Sequence, residues 1–195
     1  MRIIGGRLRG RLLTAPEGGV IRPTSDRARE AVFNVLTHRF QDEDWTLEGA
    51  RVVDAFAGSG AMGLEALSRG AAHASFIDDG HAAMEAIRAN ARALGVAGEV
   101  DLLRADARHP PRATRPCTLA FLDPPYDLDV AAASLTALAG TGWLAPGALC
   151  VVETKASTAL IPPVGFLLED ERVHGRAKVT ILRVTDTTGS AGSRH

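Results

Sequence analysis

The regular alternation of strand-like and helical segments from residue 51 onward constrains the fold more than any other feature of this sequence. The predicted strands are residues 51–56, 73–78, 99–105, 117–123 and 147–154. The predicted helices between them are residues 61–70, 81–95 and 129–140. Strands interleaved with helices of this length predict a parallel sheet covered on both faces, whereas residues 166–175 and 177–184 follow each other directly and should pair antiparallel at one edge. The predicted fold is therefore α/β and Rossmann-like, with a mostly parallel central sheet and an antiparallel C-terminal edge.

The composition is that of an ordinary globular protein, with 195 residues of which 46% are hydrophobic and 23% charged. No apolar run approaches the roughly 20 residues that a membrane-spanning helix needs. The N-terminus shows no secretory signal pattern, so we expect a cytoplasmic protein. Cys117 and Cys150 lie in apolar strand-like segments without a CxxC partner, which predicts buried free thiols and no metal site. A monomer is expected.

Charge divides the chain unevenly. Residues 1–40 carry eight arginines and three acidic residues, a net charge of +5, and the remainder carries a net charge of −6. This division predicts a basic N-terminal arm and helix (1–40) that contacts a polyanion, a main domain (41–185) and a disordered tail (186–195). Within the arm, residues 3–14 fit a short hairpin or an extended segment, and Thr24 or Ser25 could cap a helix that begins near Asp26.

A glycine-rich loop follows the first predicted strand. In "VVDAFAGSGAMG" the residues Gly58, Gly60 and Gly63 match GxGxxG between a strand and a helix, which is typical of doubly wound nucleotide-binding folds. A tight turn without a ligand is the alternative. Asp54, at the end of the strand, would repel a dinucleotide pyrophosphate and suits a cationic ammonium group, such as the methionine end of S-adenosylmethionine.

Two further carboxylates follow the next strands. Asp78 could accept hydrogen bonds from both ribose hydroxyls, a role found at NAD and adenosyl sites alike. Asp106 could accept the adenine amino group, with the backbone N–H of Ala107 beside it. One such residue alone is more often a solvated strand end. Three of them beside a glycine loop indicate an adenosyl cofactor.

The fourth strand ends in "LAFLDPPYD". The prolines fix φ and donate no N–H, so the segment offers only acceptors, the Asp123 carboxylate and the Pro124 carbonyl. Tyr126 supplies a ring for stacking and Pro125 a flat apolar face. This set fits a planar base that carries an exocyclic amine. Hydrogen bonds to Asp123 would orient the amine and stabilise the charge that develops as it attacks a methyl group, and a general-base role for Asp123 is the alternative.

The motifs "VVDAFAGSG" and "LDPPY" resemble those of class I S-adenosylmethionine-dependent amino-methyltransferases. Together with "RIIGGRLRGRLL" and "RPTSDRAREAVFNVL", they resemble the bacterial RsmD-like family of 16S rRNA guanine(966)-N(2) methyltransferases, over about residues 2–184. The resemblance implies that Asp78 binds ribose, that Asp106 holds adenine, and that residues 123–126 hold the target base. It implies a methionine-binding set of Asp54, Phe56, Ala57, Gly58, Ser59 and Gly60. The family usually has Glu in place of Asp78, and "VHGRAKVTIL" departs from its usual C-terminal pattern.

The basic arm supplies the predicted RNA-binding residues. Arg7, Arg9 and Arg11 would alternate along one face of an extended segment and follow a phosphate backbone. Arg22, Thr24, Arg27 and Arg29 would cluster around a helix N-terminus. A chain this short has no room for a DNA recognition module, so a looped-out base in structured RNA, presented by the 30S subunit, fits best.

Three alternatives remain open from the sequence. One is an adenine-N6 or other amino-methyltransferase acting on DNA or another RNA, because Asp123 alone does not separate guanine N2 from adenine N6. Another is a nicotinamide-dependent oxidoreductase, which the glycine loop allows. The third is a non-catalytic RNA-binding protein on a methyltransferase scaffold.

Overall fold

The computed structural model of the protein describes residues 1–16, 26–42, 45–125 and 128–185. Its helices are α1 (Asp26–Arg39), α2 (Ala61–Ser68), α3 (His81–Leu94) and α4 (Leu128–Gly140), with 3-10 turns at Gly6–Leu8 and Ala97–Glu99. Its strands are β1 (Arg51–Ala55), β2 (His73–Asp78), β3 (Val100–Arg104), β4 (Cys117–Leu122), β5 (Leu144–Lys155), β6 (Phe166–His174) and β7 (Ala177–Val184). Every strand and helix predicted from the sequence is present, with bounds that differ by at most three residues.

Within these residues the strands form one sheet in the order β3-β2-β1-β4-β5-β7-β6. Strands β1 to β5 are parallel to one another, β7 is antiparallel to β5, and β6 is antiparallel to β7. The predicted parallel sheet with an antiparallel C-terminal edge is therefore confirmed. Because β1 and β4 are neighbours, their carboxyl ends flank the crevice where folds of this kind bind ligands.

Residues on the two faces of the sheet pack into separate hydrophobic clusters. Val52, Phe121 and Val151 face helices α1, α2 and α3, whereas alternate residues such as Val53 and Leu122 face α4. The alternation follows from the two-residue period of a strand and explains why the central strands are apolar on both sides. Cys117 and Cys150 are buried free thiols in the second cluster, as predicted.

The N-terminal arm is a hairpin that packs on helices α1, α2 and α3, which cover the first face of the sheet. Arg2 and Leu12 form an antiparallel bridge, and the Ile3 N–H donates to the Arg11 carbonyl at 2.9 Å. A 3-10 turn forms the tip, so the hairpin interpretation is confirmed and the fully extended one is wrong. Ile3 and Leu13 are buried in the same cluster as the helices of the main domain.

The tip of the hairpin fits closely against α2. Gly6 has φ +74°, and a Cβ there would lie 1.8 Å from the carbonyl oxygen of Ser68. Only glycine permits both the left-handed conformation and this approach. The arm is therefore held by close packing of its backbone at Gly6 against the backbone of α2, as well as by its apolar side chains.

Several predictions fall on residues 17–25, 43–44, 126–127 and 186–195, outside the described part of the chain. They concern the helix cap at Thr24 or Ser25, the roles of Arg22 and Tyr126, and the C-terminal tail. In the described residues, no helix has both the length and the apolar character needed to cross a membrane.

Candidate functional site

The glycine loop joins β1 to α2 in a compact turn. Phe56, Gly58 and Gly60 all have positive φ, at 61°, 54° and 76°. For Phe56 this conformation is uncommon in a residue with a side chain and is stabilised by surrounding contacts, including the bond from its N–H to the Ile77 carbonyl at 2.9 Å. The predicted loop residues are thus brought to the carboxyl end of β1, beside β2.

Asp54 is 4% exposed, and its Oδ2 accepts the backbone N–H of Gly63 at 2.9 Å. Burial raises the pKa of Asp54 to about 8, against the hydrogen bond from Gly63, and the nearby carboxylates of Asp123 and Asp78 raise it further. A buried carboxyl group of this kind lacks a cationic partner strong enough to keep it ionised. The ammonium group of a ligand would supply that partner.

Asp78 ties the glycine loop to the next helix. One carboxylate oxygen accepts the Gly58 N–H at 2.9 Å, and the other accepts the Gly80 N–H at 2.8 Å. Each oxygen keeps a further lone pair that a ribose hydroxyl could use. The shorter side chain of Asp, compared with the usual Glu, therefore still lies beside the loop and also fixes its backbone.

Asp106 is held by a neighbouring arginine. Its carboxylate accepts the Arg108 backbone N–H at 2.8 Å and the Arg108 side chain at 2.6 Å. The side-chain hydrogen bond from Arg108 is the main reason that the pKa of Asp106 is lowered to about 2. Ala107 beside it is buried. The predicted adenine acceptor thus stays ionised, and Arg108 is an additional lining residue that the sequence analysis missed.

Asp123 follows β4 and faces the same crevice. Its side chain is accessible from the cleft, but the protein around it displaces much of the water that would hydrate the carboxylate. This burial raises the pKa of Asp123 to about 7, with a further contribution from the charge on Glu153. Pro124 is buried and Pro125 is exposed, and both line the cleft.

Two adjoining cavities meet at Asp123. A small pocket of about 90 Å³ extends toward α1 and is lined by Asp54, Asp123 and Glu153 among apolar residues. An open cleft of about 870 Å³ contains Asp78, Asp106 and the two prolines. Phe56, Gly58 and Asp123 line both cavities. A ligand that spans the cleft can therefore present one end to Asp54 and its middle to Asp123.

Glu153 is a site residue that the sequence analysis missed. Strands β4 and β5 pair with Leu122 opposite Val152, so Asp123 and Glu153 are the next residues along two adjacent strands. The rule that drew attention to Asp54, Asp78 and Asp106, a carboxylate at the carboxyl end of a strand, applies equally to Glu153. In the described ranges, no group of three His, Cys, Asp or Glu side chains is arranged to hold a metal ion.

The prediction that Arg29 contacts RNA is wrong. Its side chain is fully buried, 2.9 Å from Asp26 and 3.6 Å from the buried carboxylate of Glu65. Glu65 also accepts the backbone N–H groups of Ile4 and Gly5, both at 2.8 Å. Arg29 therefore helps to hold the arm on α2 and has no surface to offer a phosphate.

Arg7, Arg9 and Arg11 lie near the C-terminal end of α2, away from the glycine loop. The Leu8 N–H bonds to Ser68 in the last turn of α2, an eight-residue helix that spans about 12 Å from the glycine loop. Arg7 pairs with Glu99, and Arg11 donates to the Ala93 carbonyl at 2.5 Å. Arg9 is exposed. The 3-10 turn removes the predicted common face, and the RNA-binding role of these residues stays a prediction.

The sheet order, the glycine loop after β1 and the Asp-Pro-Pro segment after β4 together define a class I methyltransferase fold. The solved structure of the yhhF protein from Escherichia coli superimposes with a TM-score of 0.80 at 34% identity, covering 95% of this chain and 98% of that one. The structure of TrmN from Thermus thermophilus gives a TM-score of 0.64 at 28% identity, covering 80% of this chain and 48% of that one.

Comparison of sequences identifies the family. The family model described as "Conserved hypothetical protein 95" matches residues 1–183. Ribosomal RNA small subunit methyltransferase D of Escherichia coli strain K12 is 37% identical over 178 residues, 90% of this chain and 86% of that protein. Its namesake in Haemophilus influenzae is 32% identical over 179 residues, 90% of this chain and 89% of that protein. The chain belongs to this RsmD family of methyltransferases, and class I membership implies use of S-adenosylmethionine.

Proposed function

We propose that this protein methylates the exocyclic N2 amine of a guanine in small-subunit ribosomal RNA, with S-adenosylmethionine as methyl donor. The observation that carries the proposal is the position of Asp123, which lines both the cleft with Asp78 and Asp106 and the pocket with Asp54. The names of the related proteins support ribosomal RNA as the substrate.

The residues present fit the cofactor. Asp54 provides a buried carboxyl group for the ammonium of the methionine end. The glycine loop leaves room for the ligand, because a Cβ added at Gly58 would have no atom within 4 Å. Asp78 would accept the ribose hydroxyls and Asp106 the adenine amine. When bound, the cofactor supplies an electrophilic methyl group on a sulfonium sulfur.

Asp123 and Pro124 would orient the nucleophile. An exocyclic amine is a weak nucleophile because its lone pair is delocalised into the ring, and two acceptors below it fix its direction and favour a tetrahedral nitrogen. The amine loses a proton once the new N–C bond forms. Because the pKa of Asp123 is raised to about 7, this carboxylate is also able to take that proton near neutral pH.

Glu153 supports guanine over adenine. Guanine presents two adjacent donors, N1–H and N2–H₂, whereas adenine presents an acceptor at N1 beside its N6 amine. Two carboxylates side by side at the ends of β4 and β5 match the two guanine donors, and a carboxylate facing adenine N1 would repel its lone pair. We infer that Asp123 receives N2 and Glu153 receives N1.

The remaining parts of the proposal concern context. An assembled or partly assembled 30S subunit is the proposed form of the substrate, since a small domain can then rely on the folded RNA for its selectivity. This assignment implies a cytoplasmic protein, and we propose that it acts as a monomer. Residues 1–40 are proposed as an appendage of the methyltransferase domain at 41–185.

Methyl transfer from radiolabelled cofactor to three substrates tests the proposal. Deproteinised 16S rRNA, isolated 30S subunits and duplex DNA are compared in parallel, and digestion of the product identifies the modified nucleoside. We expect N2-methylguanosine from RNA, and loss of transfer in Asp123→Asn with Asp101→Asn as a matched control at the opposite end of the sheet. N6-methyladenine as the product would show that the guanine assignment is wrong.

A further inference from the structure

The turn between β6 and β7 lies at the same end of the sheet as the reaction centre. Lys155, the last residue of β5, pairs with Ala177, the first residue of β7, and Ala177 also pairs with His174. The Ala156 N–H donates to the Arg176 carbonyl at 2.9 Å, which fixes the turn against the end of β5. Glu153 lies only two residues before Lys155. The turn is therefore part of the rim of the active site.

A groove separates this turn from the first turns of α1. We call it the rim groove, and its lining residues are Arg27, Ala28, Ala31, Val173, His174 and Gly175. Its volume is about 610 Å³, which lies within the roughly 300–1,000 Å³ found for ligand sites. A seam between α1 and the edge strands continues from Ala31 and His174 to Val32 and Val179.

The seam connects the rim groove to the catalytic pocket. Val32 and Val179 line the seam and also line the pocket that contains Asp123. A chain lying in the rim groove is therefore adjacent to the place where a base must enter to reach Asp123.

Two exposed arginines lie in or beside the rim groove. Arg27 and Arg176 are exposed, and neither has an acidic partner among the residues that the structure describes. By contrast, the neighbouring strand cations are neutralised, Arg172 by Asp170 at 2.7 Å and Lys178 by Glu171 at 2.9 Å. The acidic Glu30 on α1 is not among the lining residues of the groove. Arg27 and His174 line this opening, and the exposed Arg176 follows the lining residue Gly175 in the turn.

The lining of the two cavities is more acidic than basic. Six carboxyl groups line them, against two cations, Arg108 and Lys155, so cations outside the cavities would add to the attraction for RNA. Phosphate contacts position a nucleic acid and supply most of its non-specific affinity. Arg7 and Arg11 are bonded at the opposite end of α2 and do not serve this rim.

We propose that Arg27, His174 and Arg176 form a phosphate-binding site that holds the RNA backbone next to the target nucleotide. This inference rests on the proposed function. It gives the edge hairpin β6–β7, together with α1, a role in positioning the substrate. The RNA segment that carries the target base would lie between α1 and the turn.

The test measures RNA binding and methylation by full-length variants. Arg27→Ala, Arg176→Ala and the double variant are compared with Arg115→Ala, an exposed arginine in the connection before the amino end of β4. Each loss of a charged phosphate contact should weaken binding of 16S rRNA about tenfold and reduce the slope of log affinity against log salt by about 0.7–0.9. The KM for RNA should rise, while kcat and cofactor affinity stay close to those of wild type. Arg176→Lys should retain most of the affinity.

Each other outcome is informative. An unchanged salt slope in the double variant, or an equal loss in Arg115→Ala, would refute the site. A loss of affinity for 30S subunits without a loss for deproteinised rRNA would mean that the rim groove binds a ribosomal protein instead. If the Arg27 and Arg176 variants lose RNA affinity and salt slope as expected but wild type methylates none of the substrates, the proposed function fails and the phosphate site stands.

Discussion

Cofactor binding should depend strongly on pH because of Asp54. With a pKa of about 8 in the unliganded protein, Asp54 is about one-tenth ionised at pH 7 and about one-hundredth ionised at pH 6. If the ammonium of the ligand pairs with the ionised carboxylate, binding must release the proton. The association constant should then rise about tenfold per pH unit between pH 6 and pH 8, and level off above pH 8.

Isothermal titration calorimetry with S-adenosylhomocysteine measures this effect directly. Titrations in two buffers of different ionisation enthalpy count the protons released, and we expect close to one at pH 7. The amine of the ligand also titrates near the upper end of the range, so Asp54→Asn supplies the baseline, since only the ligand titrates in that variant. Proton release that is absent from wild type, or unchanged in Asp54→Asn, would refute the pairing of Asp54 with the ligand.

The same substitution should act in the opposite direction on the unliganded protein. Between the unfolded pKa of 3.8 and the folded pKa of about 8, the native state binds a proton that the unfolded state has lost. The contribution of Asp54 to stability is therefore fully present below pH 3.8 and is lost as the pH rises to 8, by about 1.4 kcal/mol per pH unit. Asp54→Asn should consequently raise the unfolding temperature at pH 8 while it weakens cofactor binding. A variant that is less stable than wild type at pH 8 would contradict the assigned pKa.

Three further predictions follow from individual contacts. Glu153→Gln should lower the ratio of kcat/KM for guanine to kcat/KM for adenine. It should also move the acidic limb of the pH profile of kcat/KM to lower pH, because removal of the Glu153 charge lowers the pKa of Asp123. An unshifted limb would argue against electrostatic coupling of the two carboxylates. Gly63→Ala should cost about 1–3 kcal/mol in urea unfolding, since the new Cβ would lie 2.5 Å from a buried ring on β2, whereas Gly98→Ala meets no atom within 4 Å and should be tolerated. Arg29→Met should destabilise the fold by about 3 kcal/mol without changing the salt slope of RNA binding, and a reduced slope would restore a direct RNA role for Arg29.

The parts of the fold that depend on local pattern could be predicted from the sequence. The apolar runs of β1 and β4 and the helical periodicity of α3 are short-range signals, and the structure has these elements where they are predicted. The position of Asp54 and Asp123 at strand ends is equally local. Their proximity then follows from the rule that parallel strands deliver their carboxyl ends to one edge.

The site residues that were missed have different physical origins. Glu153 satisfies the strand-end rule, but its place beside Asp123 also requires the register of β5 against β4, which the sequence does not specify. The pairing of Arg108 with Asp106 depends on side-chain conformation in a loop. The burial of Arg29 could not be predicted either, because the number of arginines in the arm does not show which of them packs against Glu65.

The charge asymmetry of the chain consequently has two physical origins. Part of the positive charge at the N-terminus is internal, since Arg29 meets Glu65 under the arm and Arg7 meets Glu99 at its tip. These pairs hold the hairpin on α2 and on the turn Ala97–Glu99, and they compensate two of the arginine charges there. Six carboxyl groups of the main domain line the cavities where the cofactor and the target base are proposed to bind. Under that proposal, cations beside these cavities would attract RNA, and Arg27 and Arg176 are exposed at that rim without acidic partners among the described residues.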